Sequence, residues 1–250
     1  MRDSTAIVTG ASGEIGSAIA MRLATAGASV CLTYLHNERK AKALADRLSG
    51  AGPGKSIAVQ ADTGSDADVV ALFATVDREL GRLTALVNNA GILGEERRIE
   101  DVSSDQLTAL WATNITGYLL CAREAVRRMS TRHGGIGGGI VNISSMAGLR
   151  GGSEQRVAYG ASKGAVNAFT MGLGKEVAME GIRVNAVLPG YVGTQLHGAP
   201  DQTERYQRAL QAVPMKRAGL PDEIAEAVFW LLSSNASFVT GTLLNVAGGA

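Results

Sequence analysis

Short apolar runs alternate along this chain with longer stretches in which apolar residues recur every three to four positions. The runs at 6–9, 29–33, 56–60, 85–87, 140–143, 183–188 and 242–246 predict seven strands. Between them, residues 14–26, 38–48, 66–80, 103–131, 158–180 and 221–232 predict six helices, the first with Ile15, Ile19 and Leu23 on one face. The boundary residues agree with this division. Gly27 stops the first helix, Ser103 or Ser104 caps the fourth, and Pro221 with Asp222 and Glu223 opens the sixth. Strands that are apolar throughout suit a sheet covered on both faces. The expected fold is therefore α/β: a single-domain doubly wound Rossmann fold with a seven-stranded parallel sheet. No linker or repeat divides residues 1–250, and 190–213 reads as irregular or weakly helical.

Composition narrows the function classes. The chain has 24 Lys and Arg against 23 Asp and Glu, a net charge of +1, which removes the electrostatic case for a nucleic-acid partner. Cys31 and Cys121 stand apart in apolar segments without a CxxC pair, so neither a metal site nor a disulfide scaffold is expected. No stretch reaches the roughly 18 apolar residues of a membrane span, and a strand follows the first residues at once. A cytoplasmic protein without a signal peptide or membrane partner is expected. Glycine is in surplus: 32 of 250 residues is about 13%, against roughly 7% on average. Such a surplus belongs in turns and where backbone approaches backbone or ligand.

The first strand runs into Thr9-Gly10-Ala11-Ser12-Gly13-Glu14-Ile15-Gly16 and then directly into a helix. A glycine turn in that position aims backbone N–H groups and a helix N-terminus at a pyrophosphate. The spacing is Gly10-x-x-Gly13-x-x-Gly16 rather than GxGxxG. Further along, Tyr159-Gly160-Ala161-Ser162-Lys163 puts a phenol and an ammonium on one face of a helix start. A phenol normally keeps its proton to about pH 10, and a fixed cation nearby favours the phenolate and so a working acid–base group. A chance surface pair is the plain alternative for this motif alone. Upstream, Ile140-Val141-Asn142-Ile143-Ser144-Ser145 is a strand ending in two hydroxyls, where strand ends line the ligand crevice.

These segments together resemble the classical short-chain dehydrogenase/reductase family. Thr9-Gly10-x-x-x-Gly-x-Gly is similar to its fingerprint, with Glu14 in place of the middle glycine; that carboxylate must turn outward from a phosphate, leaving Gly13 to supply the close approach. Asn88-Asn89-Ala90-Gly91 resembles the motif that closes the cofactor floor, and Asn114 resembles the helix asparagine of a proton relay. Leu188-Pro189-Gly190-Tyr191-Val192-Gly193-Thr194 is similar to the stretch that meets nicotinamide and phosphates, and Asp62 matches an adenine-contacting position. The resemblance implies a catalytic set of Asn114, Ser145, Tyr159 and Lys163. Ser145 is favoured over Ser144 because Met146-Ala147-Gly148 resembles the segment after the family's catalytic serine. It implies a nicotinamide cofactor held by Gly10, Ser12, Gly13, Ile15, Gly16, Tyr34, Asp62, Asn89, Ala90, Gly91, Tyr159, Lys163, Pro189, Gly190, Val192 and Thr194.

Tyr34 stands where an aspartate would bind the adenosine ribose of NAD, which favours NADP(H) over NAD(H). His36 and Asn37 are candidate neighbours of a 2′-phosphate, while Arg39 and Lys40 read equally as a solvated helix face. The substrate loop, about 190–215, offers Gly193, Gln195, His197 and Gly198 as mobile or polar contacts. The resemblance extends to bacterial glucose-1-dehydrogenase-like members and, nearly as well, to 3-oxoacyl-carrier-protein reductases. The latter need a basic docking patch near the mouth, for which Arg127, Arg128 and Arg132 are candidates. A small-molecule carbonyl or alcohol substrate and a homotetramer are implied. A catalytically silent nucleotide sensor is the rival from another class, disfavoured because Tyr159 and Lys163 are both present.

Overall fold

The computed structural model describes residues 4–194 and 210–250. Strands β1 (Thr5–Val8), β2 (Ser29–Tyr34), β3 (Ser56–Gln60), β4 (Ala85–Asn88), β5 (Gly138–Ile143), β6 (Ile182–Pro189) and β7 (Leu243–Val246) form one sheet. Their order is β3-β2-β1-β4-β5-β6-β7 and every pairing is parallel. The chain winds outward from β1 to β3, then crosses back to place β4 on the other side of β1. That reversal opens a crevice beyond the carboxyl ends of β1 and β4, the usual ligand position in such sheets.

Alternation along each strand divides the core in two. Ala6 and Val8 of β1 with Val30 and Leu32 of β2 face one layer of helices. That layer is built from Ile19 and Leu23 of α1 (Glu14–Thr25) and from Leu44 and Leu48 of α2 (Glu38–Ser49). Ile7, Cys31 and Leu86 face the other layer, packing on Leu72 and Phe73 of α3 (Asp66–Glu79) and Ala125 and Met129 of a helix at Gly117–Met129. Burial pushes both cysteine thiols up to about 12, so neither is a reactive thiolate near neutral pH.

The periodic stretch at 103–131 is not one helix. It divides into α4 (Ser104–Trp111), a π-helical turn at Ala112–Thr116 and α5 (Gly117–Met129). Ser103 caps α4 in a reciprocal box with Gln106, as the sequence suggested. The segment after Ser145 contains a short helix α6 (Ala147–Arg150), and α7 (Val157–Glu176) follows it. The last helix is α8 (Pro221–Leu232), held on α1 by Arg22, which pairs with Glu226 at 2.6 Å and stacks over Phe229.

One buried carboxylate fastens the second layer. Glu124 of α5 is 4% exposed and receives Arg127 at 2.8 Å and Arg128 at 2.7 Å, with Arg123 beside them. Arg123 and Arg128 continue to Asp66 and Asp77 of α3. Burial alone would raise the Glu124 carboxyl, but the hydrogen bond from Arg128 and the charges of Arg127, Arg128 and Arg123 hold it below the ordinary range. A depressed carboxyl stabilises the fold above its unfolded pKa and loses that contribution as pH falls through the folded value. Glu124→Gln is therefore expected to cost about 2 kcal/mol at pH 7. Urea titrations of both proteins should show that gap shrinking below about pH 4.

Candidate active site

Backbone and hydroxyl chemistry builds the phosphate end. The Thr9 hydroxyl, just past β1, accepts from the backbone N–H of Asn89 at 2.9 Å and of Ala90 at 3.0 Å. The Asn89 amide donates back to the Thr9 carbonyl at 2.9 Å, stapling the β1 turn to the β4 end. Gly10 has φ +62°, and a Cβ there would sit 2.7 Å from Ala90 Cα. At Gly16, a Cβ would lie 2.6 Å from the Asn89 amide nitrogen, so both glycines are dictated by this junction. Gly13 differs: it is the exposed N-cap of α1, makes no side-chain cap, and has φ −78°. Ser12, Gly13, Glu14, Ile15 and Gly16 border a cavity of about 660 Å³ that runs across the carboxyl edge of the sheet. Glu14 is exposed there.

Tyr34, Leu35, His36 and Lys40 line one end of this cavity together with Asp62. Tyr34 is buried, and its phenol hydrogen-bonds Glu38, whose carboxyl is held low first by Lys42 and then by Tyr34. Asn37 is committed elsewhere, since its side-chain oxygen caps α2 by accepting from Lys40 N–H at 3.2 Å. Of the four candidates near a 2′-phosphate, His36 and Lys40 border the cavity. Asp62 is exposed and accepts from Gly64 N–H at 2.8 Å.

At the other end, β5 delivers Ser144 and Ser145 and the first turns of α7 deliver Tyr159 and Lys163. The two serines have different partners. Ser144 is 3% exposed and donates to the Asn167 side chain at 2.6 Å and towards the Lys163 carbonyl at 3.2 Å, which fastens α7 to the sheet. Ser145 stands beside the Tyr159 phenol, and its hydroxyl accepts from Ala147 N–H at 3.1 Å. Burial pushes the Tyr159 phenol up, opposed by Ser145 and by the positive charge of Arg156. Lys163 is 4% exposed, and burial pushes its ammonium down to about 7. Its Nζ lies 5.9 Å from the centre of the Tyr159 ring and donates to the Ile143 carbonyl at 2.8 Å and to the Tyr118 hydroxyl at 3.2 Å.

Asn114 sits in the π-helical turn, fully buried. Its amide donates to the Ile92 carbonyl at 2.9 Å and to the Ser162 hydroxyl at 3.1 Å, while its oxygen accepts from Ile92 N–H at 2.9 Å. The side chain thus braces the post-β4 segment against α7, and it is Thr113 that borders the cavity. Asn89, Ala90, Gly91, Pro189, Gly190, Val192 and Thr194 complete the lining. Gln195, His197 and Gly198 lie outside the described residues.

Three contributors carried no role in the sequence reading. Thr9 makes the staple, Tyr118 touches the catalytic-helix lysine, and Arg156 ties the post-β4 segment down through the Gly94 carbonyl at 3.1 Å and Glu96 at 3.0 Å. Thr9 stood inside the fingerprint; the other two meet partners too distant in sequence for any local signal. The basic candidates fall elsewhere. α5 runs from the β4 end back towards the start of β5, so Arg127, Arg128 and Arg132 lie at the edge of the sheet opposite the cavity. There they pair with Glu124, Asp77 and Glu180.

A cavity of this size lies within the usual range for ligand sites, and its cradle of side-chain-free backbone at one end fits a dinucleotide pyrophosphate. Fold and cavity together define a dinucleotide-binding α/β protein with acid–base groups at the far end of the ligand path. Comparison with known proteins narrows this class. A family model described as Enoyl-(Acyl carrier protein) reductase matches residues 10–250. An uncharacterized oxidoreductase of Escherichia coli, YgfF, is 44% identical, with 98% of both chains covered. Glucose 1-dehydrogenase 2 of Bacillus subtilis is 36% identical over 98% of this chain and 93% of its own. Among solved structures, a short chain dehydrogenase from Burkholderia cenocepacia in complex with NADP superposes with a TM-score of 0.92 at 30% identity, covering 99% of this chain and 98% of its own. The chain belongs to the classical short-chain dehydrogenase/reductase family and is an NAD(P)-dependent oxidoreductase.

Proposed function

We propose that this chain, as a single domain, interconverts a small carbonyl compound and its secondary alcohol with NADP(H), and that a sugar is the substrate. The carrying observation is that Ser145, Tyr159 and Lys163 border the same cavity, with Lys163 one helical turn on from Tyr159. Ser145 holds the substrate oxygen and Tyr159 exchanges its proton with that oxygen. Lys163 biases Tyr159 electrostatically and binds the nicotinamide ribose. The nicotinamide supplies hydride transfer when bound. Gly10, Ser12, Gly13, Ile15, Gly16 and the Asn89–Gly91 segment hold the pyrophosphate side, and Pro189, Gly190, Val192 and Thr194 the nicotinamide side. Asn114 acts as a positioning residue, because its amide is spent on Ile92 and Ser162. A Tyr159 kept protonated at neutral pH has the proton that reduction of a carbonyl requires.

NADP(H) is supported by Tyr34 in place of an acidic ribose partner, by His36 and Lys40 at that end of the cavity, and by the NADP in the Burkholderia relative. A sugar is supported by the Bacillus glucose dehydrogenase. The second reading, a 3-oxoacyl-carrier-protein reductase, gains from the matched family description. It loses from the three arginines at the wrong edge. Large apolar side chains exposed on α5, α7 and α8 (Leu119, Met171 and Trp230), with Phe238 before β7, support a homotetramer. The deciding experiment is turnover of sugars, acyl thioesters and small ketones with NADPH and with NADH. Sugar turnover with NADPH is expected, and Lys40→Ala should raise the KM for NADPH roughly fivefold while leaving that for NADH unchanged. A strong NADH preference, or activity confined to acyl thioesters, overturns the respective part.

A further inference from the structure

Lys163 carries three N–H groups on a nearly buried amine, and two of them are spoken for by a second tyrosine and the carbonyl beside it. The Tyr118 hydroxyl donates to the Ile143 carbonyl at 2.9 Å and accepts from Lys163 Nζ at 3.2 Å. Lys163 Nζ donates to the same carbonyl at 2.8 Å, closing a three-membered ring of hydrogen bonds. The direction of each bond follows from chemistry. A carbonyl can only accept, so the phenol proton goes to Ile143 and a phenol lone pair is left for the ammonium. We propose that Tyr118 is a positioning residue for Lys163, its hydroxyl keeping the amine charged and fixed so that the remaining N–H faces the cavity beside Tyr159.

Tyr118 does not itself move a proton. It is 1% exposed, and burial raises its phenol well beyond the usual tyrosine range, assisted by Tyr159 and Cys121. A permanently neutral dipole is what a buried ammonium needs: it lowers the penalty of desolvating the charge without competing for the proton. The ring contributes separately, with its centre 5.0 Å from Nζ. Position is set from both sides of the ring. The Tyr118 carbonyl accepts from the Asn88 amide at 3.2 Å, tying the start of α5 to the end of β4. The other groups around Lys163 are Tyr159 on its own helix, Asn114 in the π-helical turn, Ser144 on the β5 side and Gly91 after β4. Titratable groups bordering the same cavity are Glu14, His36, Lys40 and Asp62, at its phosphate and adenosine ends. Arg156 acts on Tyr159 from the helix start. Burial, with no charged neighbour, governs the Lys163 ammonium, so the loss of one acceptor should be felt directly.

This inference rests on the catalytic reading above, and its test separates the two. Tyr118→Phe keeps the ring and removes one hydroxyl; the Ile143 carbonyl retains its bond from Lys163, the one donor left short is the Lys163 N–H that the proposal concerns, and the fold should survive. Competitive labelling with trace acetic anhydride across pH, read at Lys163 by mass spectrometry, reports the amine's titration without any turnover. The midpoint is expected to fall by about one pH unit in Tyr118→Phe. In alcohol oxidation, the acid limb of the kcat profile should move up by a similar amount, with kcat at pH 7 reduced roughly five- to tenfold and substrate KM little changed. An unchanged Lys163 midpoint overturns the proposal even if the enzyme turns over; a shifted midpoint supports it whichever substrate the enzyme proves to use.

Discussion

Tyr159→Phe is expected to reduce turnover by about three orders of magnitude while leaving NADPH affinity within a factor of about three. The substitution removes one oxygen from a half-buried ring and disturbs nothing that holds the site together. Ser145 keeps its bond from Ala147 N–H, and Lys163 keeps Ile143 and Tyr118. What disappears is the group able to deliver a proton to the substrate oxygen, because the only partner the Ser145 hydroxyl retains from that pair is an apolar ring. Lys163 is assigned to the nicotinamide ribose and to Tyr159 rather than to the substrate oxygen. Turnover of the best substrate and NADPH fluorescence titration, on both proteins, check the two halves separately. A variant that turns over at the full rate would remove Tyr159 from the chemistry.

Gly10→Ala should weaken NADPH binding tenfold or more and destabilise the fold by roughly 1–3 kcal/mol. Two independent penalties meet at this residue. Its φ of +62° disfavours any side chain, and the new Cβ would lie 2.7 Å from Ala90 Cα and 3.2 Å from Ala90 Cβ. Ala90 cannot retreat cheaply, because its N–H and that of Asn89 are fastened to the Thr9 hydroxyl. Relief must come from parting the β1 turn from the β4 end, which deforms the cradle itself. Gly13→Ala is the control. With φ −78° and its nearest protein contact at 3.5 Å, it should keep the stability of the unmodified chain, so that any loss of NADPH affinity there reports on the approach of the pyrophosphate alone. Calorimetric titration with NADPH, together with urea unfolding, distinguishes the pair; an equal loss of stability in both would mean that the fit against Ala90 is not what requires glycine at position 10.

The contrast between those two glycines marks how far the sequence could be read. Strands and most helices follow from local periodicity, and the fingerprint turn follows from glycines placed between a strand and a helix. The motif alone could not say that Gly10 and Gly16 are demanded by Ala90 and Asn89, just past β4 and more than seventy positions away, while Gly13 meets no such neighbour. The same distance effect hid the break in the fourth helix. Residues 103–131 keep helical periodicity throughout, but Asn114 is captured by Ile92 and Ser162, which only the folded chain brings together. Ser144 and Ser145 are chemically alike in sequence; burial against Asn167 separates one from the other. Charge was the least legible. Arg127, Arg128 and Arg132 form a basic cluster in sequence, and the fold neutralises it with Glu124, Asp77 and Glu180 at the far edge.

The glucose relative and the NADP-bound relative both place this chain among enzymes, and the role proposed for its own cavity is to bring a nicotinamide and a carbonyl together beside Tyr159. Deuterium transfer tests that most directly. With NADPH labelled by deuterium at the nicotinamide C4, the alcohol product from a turned-over carbonyl should carry deuterium at the former carbonyl carbon, and Tyr159→Phe should transfer almost none in the same time. Tight NADPH binding with no deuterium delivered to any sugar, ketone or acyl thioester would contradict this role and leave a nucleotide-binding protein in place of an oxidoreductase.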